Sequence, residues 1–324
     1  MAAATEHKHR IEAIDLARGI ALVAMVIYHF TWDLEFFGYA EAGTAQQGGW
    51  RLFARCIASS FLFLVGFSLF MTHGRGVRAA PFLKRLGMIA LAALAISIAT
   101  YFATPGSFIF FGILHQIALA SLLGLAFLRL PAPVVLAAAA LVIAAPHFAR
   151  ADVFNHPALW WVGLSTQNPR SSDYVPLFPW FGAVLIGIAG AKLAVVSGLI
   201  ERLRPVTFGR WSAPVQWIGR HSLGFYLVHQ PVLIGLLFLV AQVFPAPGSS
   251  PEAAFADACQ AQCTAANDEA FCVRYCGCVL DTIVAEGRID QVFAGGEQSD
   301  TAEWLEQTAG ACTMEALEPG EETR

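Results

Sequence analysis

An all-α bundle of about seven membrane-spanning helices, followed by a small disulfide-rich helical tail, is the fold this sequence predicts. Three observations predict it. Of 324 residues, 56 % are hydrophobic and only 14 % charged, against roughly 45–50 % and 25 % in soluble domains; mean hydropathy is +0.57. Apolar stretches long enough to cross a bilayer recur along the chain. Six of the seven cysteines, at 259, 263, 272, 276, 278 and 312, crowd into the last quarter.

The expected spans are 14–36, 51–71, 83–103, 109–128, 132–148, 177–198 and 216–244. The first carries its charged flank directly into a full-length apolar run with no small-residue cleavage site, so it reads as an uncleaved anchor. The fifth, "APVVLAAAALVIAAPH", is at the lower edge of spanning length and also suits a re-entrant segment. The loop 149–176 is long and rich in Trp and Pro. Trp160, Trp161 and Trp180 suit the headgroup belt, and a loop of this length also suits a lid or substrate-binding surface.

With the N-terminus inside, 13 Lys and Arg fall on the cytoplasmic side and 7 on the other. The positive-inside rule then puts the N-terminus in the cytoplasm and, after seven spans, the C-terminus outside. The chain divides into a cytoplasmic N-terminus (1–13), a membrane domain (14–244) and a tail (245–324) beginning at the linker "FPAPGSS". From Ser249 onward 15 Asp and Glu face 3 Arg, while the rest has 17 basic and 9 acidic residues. An acidic tail with six clustered cysteines suits an oxidising compartment such as the bacterial periplasm.

Cys259-x3-Cys263 and Cys272-x3-Cys276 each place two sulfurs on one helix face. Two such helices joined by "TAANDEA" would form a hairpin stapled by two disulfides, leaving Cys278 and Cys312 for a third. A zinc site is the competing reading, although the spacings do not match common ligand knuckles. Cys56 reads as an inert small hydrophobe.

Function is written in the polar residues of the apolar runs. Arg18 and His29 are eleven positions apart, three turns plus a fraction, so they share a face about 16 Å apart along the axis. Asp33 continues that face one turn on. Arg18 alone reads as a snorkelling anchor, but an imidazole at membrane depth reads as a site, and Asp33 reads either as part of that site or as an interfacial residue. The last span carries Ser222, Tyr226 and His229 as one polar stripe, with Arg220 and His221 at its entry and Pro231 beside His229, where a kink is expected. His115 and Gln116 lie in the fourth. Each histidine alone also reads as a contact between helices. Three at depth in three helices point to one polar cavity.

The segments "IDLARGIALVAMVIYHFTWDL", "FLFLVGFSLF", "GILHQIAL", "DYVPLFPWFGAVLIGIAGAKL" and "IGRHSLGFYLVHQPVL" resemble the bacterial relatives of heparan-α-glucosaminide N-acetyltransferase over about residues 11–243. Arg18, ten residues and His29 are also similar to the Arg-x10-His signature of the polysaccharide O-acyltransferases. The resemblance implies transfer of an acetyl or acyl group from cytosolic acyl-CoA, with acetyl-CoA as donor, to a sugar or glycolipid acceptor across the membrane, with a membrane histidine as catalytic residue. The cysteine tail is not part of the family pattern.

In that chemistry His29 would be the base or acyl carrier, Asp33 would fix its tautomer, and His115 and His229 would share the cavity. Arg18 would hold the donor phosphates, with Arg220, Ser222 and Tyr226 as further donor-side residues. No metal and no nucleic acid are expected; the partners are bilayer lipid, the acceptor and, as a further option, a second copy of the chain. Two other classes fit the same residues: a bis-histidine haem b electron carrier drawing on His29, His115 and His229, and a small-solute transporter without covalent chemistry.

Overall fold

The computed structural model describes residues 11–41, 43–167, 169–246, 251–264, 267–293 and 299–317. Among these there is no strand; α-helices are joined by short 3-10 turns and irregular links. The helices are α1 (Glu12–Phe36), α2 (Gly48–His73), α3 (Ala79–Ala103), α4 (Ile113–Gly124), α5 (Ala132–Ala144), α6 (Leu177–Val196), α7 (Leu199–Leu203), α8 (Ala213–Arg220), α9 (Ser222–Val243), α10 (Pro251–Cys263), α11 (Glu269–Ala285), α12 (Ile289–Phe293) and α13 (Ser299–Leu317). Five of them (α1, α2, α3, α6, α9) are long and apolar enough to cross a bilayer, and α4 and α5, extended by 3-10 turns to Phe127 and His147, are shorter apolar helices. This is a multi-pass membrane protein.

Two expected boundaries move. Residues 109–112 are not helical. Their backbone groups are taken by side chains and by the outer loop instead: Thr100 Oγ1 accepts from the Ile109 N–H, Ser97 donates to the Ile109 carbonyl, and the Phe111 carbonyl accepts from Val175. The last span begins at Ser222 rather than 216. At His221 (φ −103°, ψ 30°) the backbone leaves the helical region, and its N–H is shared between the Trp217 and Ile218 carbonyls. Pro214 in the first turn suits the start of a separate helix there. Pro231 lies inside α9, which runs on through it to Val243.

By contacts the chain forms two compact units, Met1–Asp33 with Gly43–Gly235, and Leu34–Ala42 with Leu236–Arg324. In the first, α6 is the central helix: Val184, Leu185, Ile188 and Ala189 are fully buried. It crosses α2 at backbone distance, because a Cβ on Gly66 would lie 1.9 Å from the Val184 carbonyl and one on Gly187 2.1 Å from that of Phe63. Without a solvent-driven hydrophobic effect between helices in lipid, such close approach of small residues is what holds a membrane crossing together. Helix α1 shows the complementary pattern: Ile20, Val23, Ile27 and Phe30 are exposed outward, while Leu22 and Met25 turn inward onto Ile57.

In the second unit, disulfides Cys259–Cys276 and Cys263–Cys272 staple α10 to α11 as nested rungs, and Cys278–Cys312 ties α11 to α13. Val279, Ile283 and Cys312 form a small core with Phe255, Tyr275 and Trp304 packed on it. Asp268 caps α11 by accepting from the Phe271 N–H, and Arg274 donates twice to the Ala316 carbonyl near the end of α13. A core this small needs such staples. The Tyr39 hydroxyl donates to the Phe244 carbonyl, tying residues 34–42 to the end of α9. Cys56, the one free cysteine among the described residues, is exposed on α2.

Candidate active site

Helix α1 is seated at its start by α8. A Cβ on Gly19 would lie 2.0 Å from the Val215 carbonyl, and one on Gly219 1.9 Å from that of Asp15. Glu12 adds a polar latch, accepting from the Phe208 N–H and from Gln216 Nε2. That seating fixes α1 against α8, from which α9 continues, and α1 and α9 meet again four turns on.

There the imidazoles of His29 and His229 face each other with ring centroids 5.1 Å apart. One turn further along α1, Asp33 is fully buried, and its Oδ1 accepts from Gln230 Nε2 at 2.6 Å. A carboxylate inside an apolar bundle requires such a partner. His229 is buried, and its Nδ1 lies 2.6 Å from the Tyr226 carbonyl. A carbonyl only accepts, so Nδ1 carries the proton and Nε2 presents a lone pair. That Nε2, Asp33 Oδ2 and Gln230 Oε1 are all buried and have no hydrogen-bond partner. Three acceptors without protein donors, on two facing helices, are costly to maintain unless ordered water or a bound molecule supplies the donors.

Tyr226 stands beside this patch, 5.6 Å from the His229 ring. Asp173 lies in the outer loop. Its Oδ2 accepts the Ile113 N–H at the start of α4, and burial pushes its carboxyl up to about 6, with the Ile113 bond pulling the other way. The loop that presents it is braced. Asn155 Oδ1 accepts from Ser165 Oγ and Thr166 N, Trp160 Nε1 donates to the Asn155 carbonyl, and the Tyr174 hydroxyl donates to the Trp160 carbonyl.

The remaining candidates are placed elsewhere. His115 Nδ1 accepts from the Gly112 N–H and Nε2 lies 3.2 Å from Ser97 Oγ, so both nitrogens serve the start of α4. No ring contact or hydrogen bond joins it to His29 or His229 among the described residues. Arg18 lies against Asp15 Oδ1 (3.1 Å) and donates to Ser68 Oγ (2.6 Å), which bridges α1 to α2. Asp33 is bonded to Gln230 rather than to His29, so the carboxylate does not set the His29 tautomer; the glutamine amide reaches it first. Arg220 Nε folds back onto the Gln216 carbonyl, and Ser222 opens α9 one turn before Tyr226. No group of three metal-binding side chains occurs among the described residues.

Residues 10–231 match the family described as heparan-alpha-glucosaminide N-acetyltransferase, catalytic. The chain belongs to this family. It is therefore a transmembrane acetyltransferase. No curated protein and no solved structure matches the chain. The family region takes in every residue of the α1–α9 patch and ends at Pro231, directly after Gln230; the cysteine-stapled helices lie outside it.

Gln230, a member of the patch, and Asp173, in the outer loop, escaped the sequence reading. Gln230 directly follows His229, and the polar stripe of Ser222, Tyr226 and His229 does not include it. Asp173 sits in the long outer loop 149–176, directly after Ser171 and Ser172. For Gln230 the available signal was an amide at membrane depth; for Asp173 there was none. Gln116, read only as a neighbour of His115, is fully buried with both amide atoms unpartnered.

Proposed function

We propose that the protein transfers an acetyl group from cytosolic acetyl-CoA to a sugar or glycolipid on the periplasmic face of the bacterial inner membrane, with His229 and His29 at the reaction centre. The observation that carries this reading is the buried acceptor set of His229 Nε2, Asp33 Oδ2 and Gln230 Oε1. A sugar ammonium brings three N–H donors to such a set, where a hydroxyl brings one, so an amino sugar is the acceptor these atoms suit best.

The acceptor ammonium gives one proton to the Asp33 carboxylate on its way to the bulk, leaving an amine. The amine nitrogen attacks the thioester carbonyl carbon; a C–N bond forms and the C–S bond breaks. His229 Nε2 takes the second proton from that nitrogen and passes it to the departing thiolate, giving CoA thiol and the acetylated sugar. His29, beside it, shapes the same spot. The remaining charge balance supports N-in, C-out, with the donor end of the bundle in the cytoplasm.

The test is to offer acetyl-labelled acetyl-CoA to the cytoplasmic face of sealed membranes carrying the protein. Label should pass into an amino-sugar glycan or glycolipid on the opposite face. Donor turnover with label confined to the donor side, or no protein-dependent turnover, contradicts the proposal.

A further inference from the structure

The end of the bundle where α2 turns into α3 has the opposite polarity to the patch just described. Between Glu41 and Asp152 the sequence contains no Asp or Glu, yet Arg75, Arg78, Lys84 and Arg85 cluster at this hairpin. None of the four forms an ion pair among the described residues. A narrow opening lies between α2, α3 and α4, and its polar lining is Thr72, His73, Arg85 and Ser121. His73 is buried and its Nδ1 accepts from the Arg78 N–H, which leaves Nε2 to carry the proton. Every polar group lining the opening therefore has an N–H or O–H to give. The first turn of α3, with its unsatisfied N–H groups, begins at Ala79, beside it.

We propose that the mouth of this opening, where Arg85 and Thr72 are exposed, binds a phosphate group of the acyl donor, with Arg85 as the principal cation and Thr72, His73 and Ser121 as further donors. The inference deepens the acetyl-CoA reading and rests on it. It also reassigns a role the sequence suggested for Arg18, whose guanidinium the structure engages with Asp15 and Ser68.

The opening is connected to the reaction centre by packing. Ile89, which lines it, belongs to a cluster with Ala92, Ala93 and Leu114 against which Tyr226 packs, and Tyr226 stands beside His229. From Arg85 to Ala93 the rise along α3 is about 12 Å, within the reach of an extended pantetheine arm. Phosphates held at the hairpin would thus let the thioester reach the α1–α9 patch.

The full-length protein in vesicles of phosphatidylcholine provides the test. Arg85→Gln should raise KM for acetyl-CoA at least about tenfold, the loss of one charge-assisted phosphate contact, with kcat within about twofold. Arg85→Lys should recover part of the loss. With acetyl-pantetheine, which lacks the nucleotide phosphates, wild type and Arg85→Gln should be indistinguishable. Independently of turnover, 3′,5′-ADP should bind the wild-type protein in a calorimetric titration and bind Arg85→Gln at least about tenfold more weakly.

An unchanged KM for acetyl-CoA, or a defect that persists with acetyl-pantetheine, overturns the assignment. So does an Arg85→Gln defect that appears only when anionic phospholipid is added, since the opening would then serve lipid headgroups. If no acetyl transfer is found with any donor, the acetyl-CoA reading has failed, and the 3′,5′-ADP titration still decides whether phosphate binds here.

Discussion

At the scale of single residues, the same side-chain type does different work according to what its neighbours leave unsatisfied. His115 has both nitrogens committed to Gly112 and Ser97; His229 has one committed and one open. Asp173 gives a test of how far burial alone shapes a carboxyl. Its folded-state value, raised from 3.8 to about 6, means the folded state holds a proton that the unfolded chain has already released in that window. Stability should therefore fall as pH rises from about 4 to about 6 and level off above it. Asp173→Asn still offers an oxygen to the Ile113 N–H, so it should flatten this pH dependence without unseating α4. Thermal-shift curves of the two proteins across that window check it, and parallel curves contradict it.

At the scale of helices, close backbone crossings set the geometry. Gly66→Ala would force a methyl against the Val184 carbonyl of α6, where no flexible side chain can give way. It should cost at least about 1–3 kcal/mol, read as a lower midpoint of thermal unfolding in detergent. A midpoint within error of wild type would mean α2 and α6 do not depend on that approach. These crossings also explain what the sequence could reveal. Hydropathy averages over a whole span, so all seven apolar segments were readable. The break at His221 and the extended 109–112 stretch depend on side chains such as Ser97 and Thr100 capturing backbone groups, which no periodicity records. Likewise the His29–Asp33 face was legible from i, i+4 spacing, but the partners were not: Gln230 lies 197 residues from Asp33 in sequence, and Ser68 50 from Arg18.

At the scale of the whole molecule, one chain joins an acetyltransferase region to a cysteine-stapled acidic segment outside the family match. The i, i+4 spacing of Cys259/Cys263 and Cys272/Cys276 made the hairpin readable, and the structure pairs them as nested rungs. Protein prepared without reductant should show no alkylatable thiol at these four positions or at Cys278 and Cys312, and a reporter fused after Gln242 should behave as exported. Free thiols together with a cytoplasmic reporter would reverse the proposed orientation.

The central claim is that the buried acceptor set between α1 and α9 carries the transfer. Its most direct measurement is single-turnover acetyl transfer by His229→Ala, with His29→Ala beside it, each shown first to insert and accumulate as wild type. The account predicts that His229→Ala lowers the rate of transfer at least about 100-fold, as loss of a general base does, while KM for acetyl-CoA stays within about threefold. Near-normal transfer by the folded His229→Ala protein would contradict it.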